Sequence, residues 1–449
     1  MSRDLSAIFK AYDIRGVYPD ELDEDVARRI GVAFAAFAGS DSLAVGRDMR
    51  ASSPSLAKAF AEGVTAAGVD VLDLGLVSTD ACYFASGHLG APAAMFTASH
   101  NPARYNGLKL CRAEAVPIGV DSGLTEIRKS AESADSTPRE GSPGTIDEID
   151  ILEEYAAHCR SFVDEEALRP LRVAVDAGNG MAGVTVPVTF GPLPFEVEPL
   201  YFDLDGTFPN HPANPIEEAN LADLQQLVLA KNCDVGIAFD GDADRIFLVD
   251  EKGELVSGSL TTAMVAERVL KKYPGQPIIY NLICSWTVSE VIEENGGEPI
   301  RARVGHSYIK ALMADTGAAF AGEHSGHYYF RDNYRADSGM IAALLVLEGM
   351  SVASMPLSES LDPFRRYHAS GEINSEVDDQ EGMIEKLAEA YGDGQQDRTD
   401  GLTVEFEDWW FNARPSNTEP LLRLNLEART KNLKDEKVQE VLAVIRKED

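Results

Sequence analysis

At 449 residues the chain is too long for one hydrophobic core, and a prior of ~150 residues per domain divides it into two to four. A formal net charge of −34 would repel duplex DNA and an anionic bilayer, which excludes both as expected partners. No apolar run approaches the ~20 residues of a membrane helix, no signal-peptide core opens the chain, and cysteines 82, 111, 159, 233 and 284 show no C-x-x-C pairing, so the expectation is a reduced protein of the cytoplasm.

In chain order, apolar strand-like runs alternate with helical ones. "LAVGRD" (43–48) precedes the helical "SLAKAFAEGVTAAG" (55–68) and the strand-like "VDVLDLGL" (69–76). "LRVAVDAGNG" (171–180), "DVGIAFDGDADRIFLVD" (234–250) and the helical "LTTAMVAERVLKKY" (260–273) follow. "PIIYNLIC" (277–284), the helical "SWTVSEVIEENGG" (285–297) and "PIRARVGH" (299–306) continue the alternation, which predicts α/β layers. The tail differs: 401–430 reads as paired strands around a turn, closed by a helix, "KNLKDEKVQEVLAVIRK". Breaks are expected at 131–145, where Ser, Pro and Gly replace apolar periodicity as a linker or a surface loop, and more softly near 251–258 and 369–379. The predicted domains are 1–150, 151–255 and 256–368, all α/β, and an α+β module at 369–449.

Three motifs compete for the chemistry. Asp240-Gly-Asp242-Ala-Asp244-Arg245 sets three carboxylates at i, i+2 and i+4 between apolar runs. Such carboxylates repel each other unless something neutralises them, and an all-oxygen set suits Mg²⁺ or Ca²⁺. Glu251 falls at position twelve of an EF-hand loop, but Arg245 replaces the glycine required at position six. Gly178-x-Gly180-x-x-Gly183, after "LRVAV", has the form of a dinucleotide fingerprint, with Glu196 or Glu198 as the ribose-binding acid. The same letters serve a plain strand-to-helix turn. "FDLDGT" (202–207) resembles the first motif of haloacid-dehalogenase-type phosphatases, with Asp203 as phosphoryl acceptor. That fold needs the motif at the end of its first strand; here it runs into a proline-rich loop.

Six segments then fall into one order: "FKAYDIRG" (9–16), "TASHNP" (97–102), "YNGLK" (105–109), "DGDADR" (240–245), "GEHSGH" (322–327) and "RPSNTEP" (414–420). Together they resemble the α-D-phosphohexomutase family, most closely its bacterial phosphomannomutase/phosphoglucomutase branch. The resemblance implies three similar mixed-sheet α/β domains plus a C-terminal α+β domain around a central cleft. It implies a phosphoserine at Ser99 and Mg²⁺ held by Asp240, Asp242, Asp244 and the Ser99 phosphate. It places Glu323 and Ser325 in a sugar-binding loop, and Arg414, Ser416, Asn417 and Thr418 in a loop that grips the substrate's phosphate. Lys109 and His306 match positions of proton transfer, and Tyr12, Arg15, Arg245 and His327 match other cleft residues. The substrate implied is a hexose phosphate, the intermediate and activator a hexose 1,6-bisphosphate, and the assembly a monomer or weak dimer. His324 and Asn417 favour the hexose branch over phosphoglucosamine mutases, whose loops read closer to "GEQSGH" and "RPSGTEP". In "NLICSWTV" (281–288) some members carry basic residues, one near Ile283; this chain has none there, and Trp286 fills part of the stretch.

The physical reading runs alongside. A phosphoserine carries roughly −1.5 to −2 charges near neutral pH, and beside three aspartates it needs a cation. Lysine, with a reference pKa of ~10.4, serves as a base only if burial or neighbouring cations lower that value. Ser99 and His100 are adjacent, yet sequence neighbours are expected to point apart, and no G-x-S-x-G elbow is present. His100 and Asn101 are therefore expected to shape the turn, with Pro102 discouraging a helix.

Overall fold

The computed structural model describes residues 4–133, 142–416 and 421–446, with the side chain of His306 outside that set. The chain forms two compact units, Met1–Val256 with Ser325–Ser358, and Ser257–His324 with Glu359–Asp449.

In the first unit one mixed sheet orders its strands as Ile14–Val17, Tyr105–Arg112, Ala93–Phe96, Ser42–Arg47, Asp70–Leu76 and Ile146–Glu148. Ser42–Arg47 runs parallel to both neighbours, while Tyr105–Arg112 is antiparallel to both of its own. Every residue of Ala93–Phe96 is buried, the mark of a strand covered on both faces. The chain leaves this strand directly into Thr97–Pro102, so the Ser99 loop hangs from the rigid centre of the sheet. Ile146–Glu148 pairs parallel to Asp70–Leu76, so the end of the expected linker at 131–145 leads back into the first sheet.

A second sheet orders Leu255–Val256, Ile246–Asp250, Val235–Phe239, Leu171–Asp176 and Phe195–Leu200. Val235–Phe239 and Ile246–Asp250 pair antiparallel, with Phe239 opposite Ile246. Their register leaves residues 240–245 as the hairpin loop. The helix Gly339–Ala353 is buried on nearly every side, as an apolar-all-round helix must be.

In the second unit Glu298–Ala302, Pro277–Asn281 and Phe320–Gly322 are parallel neighbours, flanked in sequence by the helices Gly258–Lys272, Trp286–Glu294 and His306–Thr316. The C-terminal sheet is antiparallel: His368–Glu376, Leu421–Ala428, Trp409–Pro415, Leu402–Glu405 and Gln395–Asp397. Leu387, Phe411, Leu424 and Val441 join the helices Gln380–Ala390 and Lys431–Ile445 to it in one core. The α/β layers and C-terminal α+β module follow the expected pattern. The soft break expected near 369–379 falls on the strand His368–Glu376, which opens the C-terminal sheet. That strand lies at the sheet edge and is mostly exposed, so it lacks the apolar alternation that marks a half-buried strand.

Among the described residues no single helix is long and apolar enough to cross a membrane, and all five cysteines are buried without a disulfide.

Candidate active site

The hairpin loop Asp240–Arg245 brings Asp240, Asp242 and Asp244 together, with one oxygen of each within 4.8 Å of the others. All three are essentially excluded from solvent. Ala243 takes a left-handed backbone, φ 62°, which lets the loop curl and aim the acids inward. Lys109 Nζ donates to Asp242 Oδ2 at 2.8 Å and Asp244 Oδ2 at 2.6 Å. Arg245 donates to Asp240 Oδ2 through Nε at 2.9 Å and Nη2 at 2.7 Å. The Oδ1 atoms of Asp242 and Asp244 are buried without a hydrogen-bond partner. Three carboxylates against Lys109 and Arg245 leave one excess negative charge. Orphaned buried oxygens, an all-oxygen donor set and that excess fit a hard divalent cation.

Ser99 sits against this loop. Its hydroxyl is buried and donates to Asp240 Oδ2 at 2.8 Å, and Arg245 Nη2 approaches Oγ at 3.3 Å. Ser99 has φ 49°, a left-handed conformation that L-residues resist. A Cβ at Gly241 would stand 2.6 Å from the Ser99 carbonyl oxygen, so only glycine allows the two loops to touch there.

The expectation that His100 diverges from Ser99 is corrected. Ser99 Oγ and His100 Nδ1 lie 3.1 Å apart, because the left-handed turn at Ser99 swings the two side chains together. They do not form a nucleophile–base pair. Arg245 Nη2 stands 2.5 Å from the same Nδ1, and burial with the Arg245 and Arg15 cations holds His100 well below the usual histidine range.

Charge is distributed unevenly in the cluster. Burial, joined by Asp244 and Asp242, outweighs Arg245 and pushes Asp240 up to about 7. Asp242 is held well below the carboxylate range because Lys109 and the Thr79 hydroxyl outweigh its burial. Burial alone would lower Lys109, but Asp242 and Asp244 hold it well above the usual lysine range. His327 bonds Asp337 Oδ2 through Nδ1 at 2.9 Å and lies 3.9 Å from Asp244 Oδ1; these carboxylates outweigh burial and raise its pKa.

The other expected residues are placed as follows. Arg15 donates to Asp13 at 2.7 Å and to Asn101 Oδ1 at 2.5 Å, tying the "YDIRG" segment to the Ser99 loop. Tyr12 and Ser325 are half-buried in this same first unit. Glu323 is buried in the second unit, where Asn281 Nδ2 donates to it at 3.4 Å. Arg414 is paired with Glu372 at 3.0 Å, and Arg423 Nη2 lies 3.5 Å from Ser416 Oγ. Asn417 and Thr418 lie outside the described residues, as does the side chain of His306, whose backbone opens the helix His306–Thr316. Near Ile283, Trp286 donates its amide to Glu427 at 3.0 Å and stacks edge-on against Tyr367.

Sequence reasoning missed Thr79 and Asp337, which fasten Asp242 and His327. The run Ser78-Thr-Asp80 carries an N-cap signature for the helix Thr79–Leu89, but no local signal names its distant partner.

The competing motifs have structural roles. Glu251 accepts from the amide and hydroxyl of Ser358 rather than closing an EF-hand loop. A Cβ at Gly180 would stand 2.6 Å from Gly241 O, and one at Gly183 2.2 Å from Phe202 O, so these glycines permit close backbone packing. Asp203 is exposed, and Asp205 Oδ1 is occupied by the amide and hydroxyl of Thr207.

Profiles described as phosphoglucomutase/phosphomannomutase alpha/beta/alpha domains I, II and III match residues 6–138, 153–253 and 257–367, and the C-terminal domain profile matches 372–444. A protein named "Phosphohexose mutases" from Xanthomonas campestris pv. campestris (strain B100) is 41% identical over 425 residues, covering 94% of this chain and 95% of that protein. A "Phosphomannomutase" from Escherichia coli is 40% identical over 457 residues, covering 98% and 99%. The crystal structure of a phosphoglucomutase/phosphomannomutase family protein from Burkholderia thailandensis superposes with a TM-score of 0.89 at 35% identity, covering 99% of this chain and 98% of that one.

Proposed function

Because the chain belongs to the phosphoglucomutase/phosphomannomutase family, we propose that it interconverts hexose 1-phosphate and hexose 6-phosphate, with Ser99 as the phosphoryl carrier. The observation that carries this reading is the meeting of Ser99 Oγ with Asp240 at 2.8 Å and Arg245 at 3.3 Å inside the aspartate cluster.

The family is one of intramolecular phosphotransferases. Ser99 lends its phosphoryl group to one hydroxyl of the sugar, at C6 or C1. The hexose 1,6-bisphosphate turns over and returns its other phosphoryl group to Ser99. Asp240, Asp242 and Asp244 would hold Mg²⁺, with an oxygen of the Ser99 phosphate. When bound, the ion offsets the excess negative charge and acts as a Lewis acid toward the phosphoryl oxygens. Arg245 places a second positive charge beside Ser99 Oγ. Lys109, which meets Asp242 at 2.8 Å and Asp244 at 2.6 Å, is assigned with His306 to proton transfer or its support. We assign sugar and phosphate recognition to Tyr12, Arg15, Glu323, Ser325 and His327, and to Arg414, Ser416, Asn417 and Thr418. The last group pairs a guanidinium with neutral donors, a set that suits a tetrahedral dianion in either substrate orientation.

The test is intact mass with turnover. Incubation with hexose 1,6-bisphosphate should add the mass of one phosphoryl group, and Ser99→Ala should abolish both the gain and formation of glucose 6-phosphate from glucose 1-phosphate. Full turnover by Ser99→Ala would overturn the assignment. The ratio of kcat/KM for mannose and glucose 1-phosphates sets the substrate preference.

A further inference from the structure

We infer that Arg50 is the positioning residue that fixes the Ser99 loop, braced by the turn Gly206–Phe208; the inference rests on the proposed role of Ser99. Arg50 is 1% exposed. A guanidinium has five N–H donors, and the surroundings of Arg50 offer an acceptor for each. Nη2 donates to the carbonyls of Ser99 and Asn101, both at 2.7 Å. Nη1 donates to the carbonyls of Pro102 and Tyr105, both at 3.0 Å. Nε donates to Asp48 Oδ2 at 3.2 Å. Asp48 is itself held by the Arg50 amide at 3.0 Å and the Ser53 hydroxyl at 2.6 Å.

One buried side chain thus gathers four backbone carbonyls between Ser99 and Tyr105. Those carbonyls converge because Ser99 is held in its left-handed conformation, φ 49°. Arg50 therefore stabilises the backbone geometry that aims Ser99 Oγ at Asp240. A lysine could not replace it, since an ammonium presents three donors from a single point.

The same contacts explain the "FDLDGT" letters that resemble a phosphatase motif. A Cβ at Gly206 would stand 2.5 Å from Arg50 Cα, so the turn lies directly on the Arg50 backbone. The Phe208 ring covers the guanidinium, with Cζ 5.1 Å from the ring centroid. Asp205 pins the turn through Thr207, and Asn179 Nδ2 fixes the Asp203 carbonyl at 2.8 Å. The segment is a brace, and the Asp205 side chain shapes its turn.

The experiment compares the full chain with Arg50→Lys and Asp48→Asn by steady-state kinetics and by amide hydrogen exchange of residues 97–106. Circular dichroism and melting confirm folding. Arg50→Lys should lose kcat by about 100-fold, the scale of a small misplacement of a reacting group, with little change in KM. Its 97–106 amides should exchange faster. Asp48→Asn should show a smaller loss of the same kind. A folded Arg50→Lys with parental kcat, or with unchanged exchange at 97–106, overturns the inference. If Arg50→Lys does not fold, Asp48→Asn decides, and parental kcat there overturns it. Failure of the phosphoserine reading is distinguishable: Ser99→Ala would then turn over fully, while the exchange readout on Arg50→Lys would still report on the loop.

Discussion

Thr79 reaches Asp242 twice, its amide donating to the Asp242 carbonyl at 3.0 Å and its hydroxyl to Asp242 Oδ2 at 2.6 Å. The acid loop is thereby fastened to the start of the helix Thr79–Leu89. Thr79→Val, which keeps shape but removes the hydroxyl, should weaken Mg²⁺ affinity by about tenfold, as losses of outer partners of metal ligands do. Thr79→Ser should restore it. Titration of turnover with Mg²⁺ reads both, and an unchanged midpoint in Thr79→Val refutes the fastening role.

The excess negative charge in the aspartate cluster predicts how the metal acts on stability. Saturating Mg²⁺ at about 100-fold above its dissociation constant should stabilise the folded chain by about 2.7 kcal/mol. Asp240→Asn removes one charge, so at pH 8 the metal-free variant should unfold no earlier than the parent. It should also gain little from Mg²⁺. Thermal melts with EDTA and with Mg²⁺ check both statements.

Asp80, whose raised pKa draws chiefly on burial and in smaller part on Asp244, gives a pH dependence. Its carboxyl is buried and accepts from the hydroxyls of Ser78, Tyr155 and Ser338. Burial outweighs those bonds and raises its pKa from 3.8 to about 6. A carboxyl raised in the folded state favours folding when protonated. Its contribution is therefore full below pH 3.8 and lost as pH rises through 6. The loss is of order 3 kcal/mol at 1.36 kcal/mol per unit. Denaturant unfolding of Asp80→Asn should lack this slope between pH 4 and 7. Parallel profiles for variant and parent would refute it.

Ser99 is held in a backbone conformation that favours glycine. Ser99→Gly should be more stable than Ser99→Ala by about 1 kcal/mol, the cost of the left-handed region for a residue with a Cβ. Both should lack turnover. Urea unfolding of the two variants makes the comparison.

Asp203 is exposed and its motif serves a turn. Asp203→Asn should leave mutase turnover unchanged, and net phosphate release by the parent that Asp203→Asn abolishes would restore the phosphatase-like reading.

The candidate site was legible where its parts are contiguous. "DGDADR" between two apolar runs shows three converging carboxylates, because a hairpin loop keeps its residues together. "TASHNP" shows the serine but not its geometry, since the left-handed turn at Ser99 leaves no mark in the letters. The fasteners were illegible for a different reason. Arg50 lies 49 residues from Ser99 and Thr79 lies 163 from Asp242, so their roles exist only after folding. The strand His368–Glu376 left no strand pattern in the letters because an edge strand keeps polar residues on both faces.

The missing side chain at position 241 has a consequence for how such proteins diverge. With a Cβ there only 2.6 Å from the Ser99 carbonyl, the serine loop and the acid loop are mated surfaces. Neither can drift alone: a side chain at position 241 would force the Ser99 carbonyl to move, and a shift of that carbonyl would force the acid loop to follow. Compensating changes must arise in pairs across the seam.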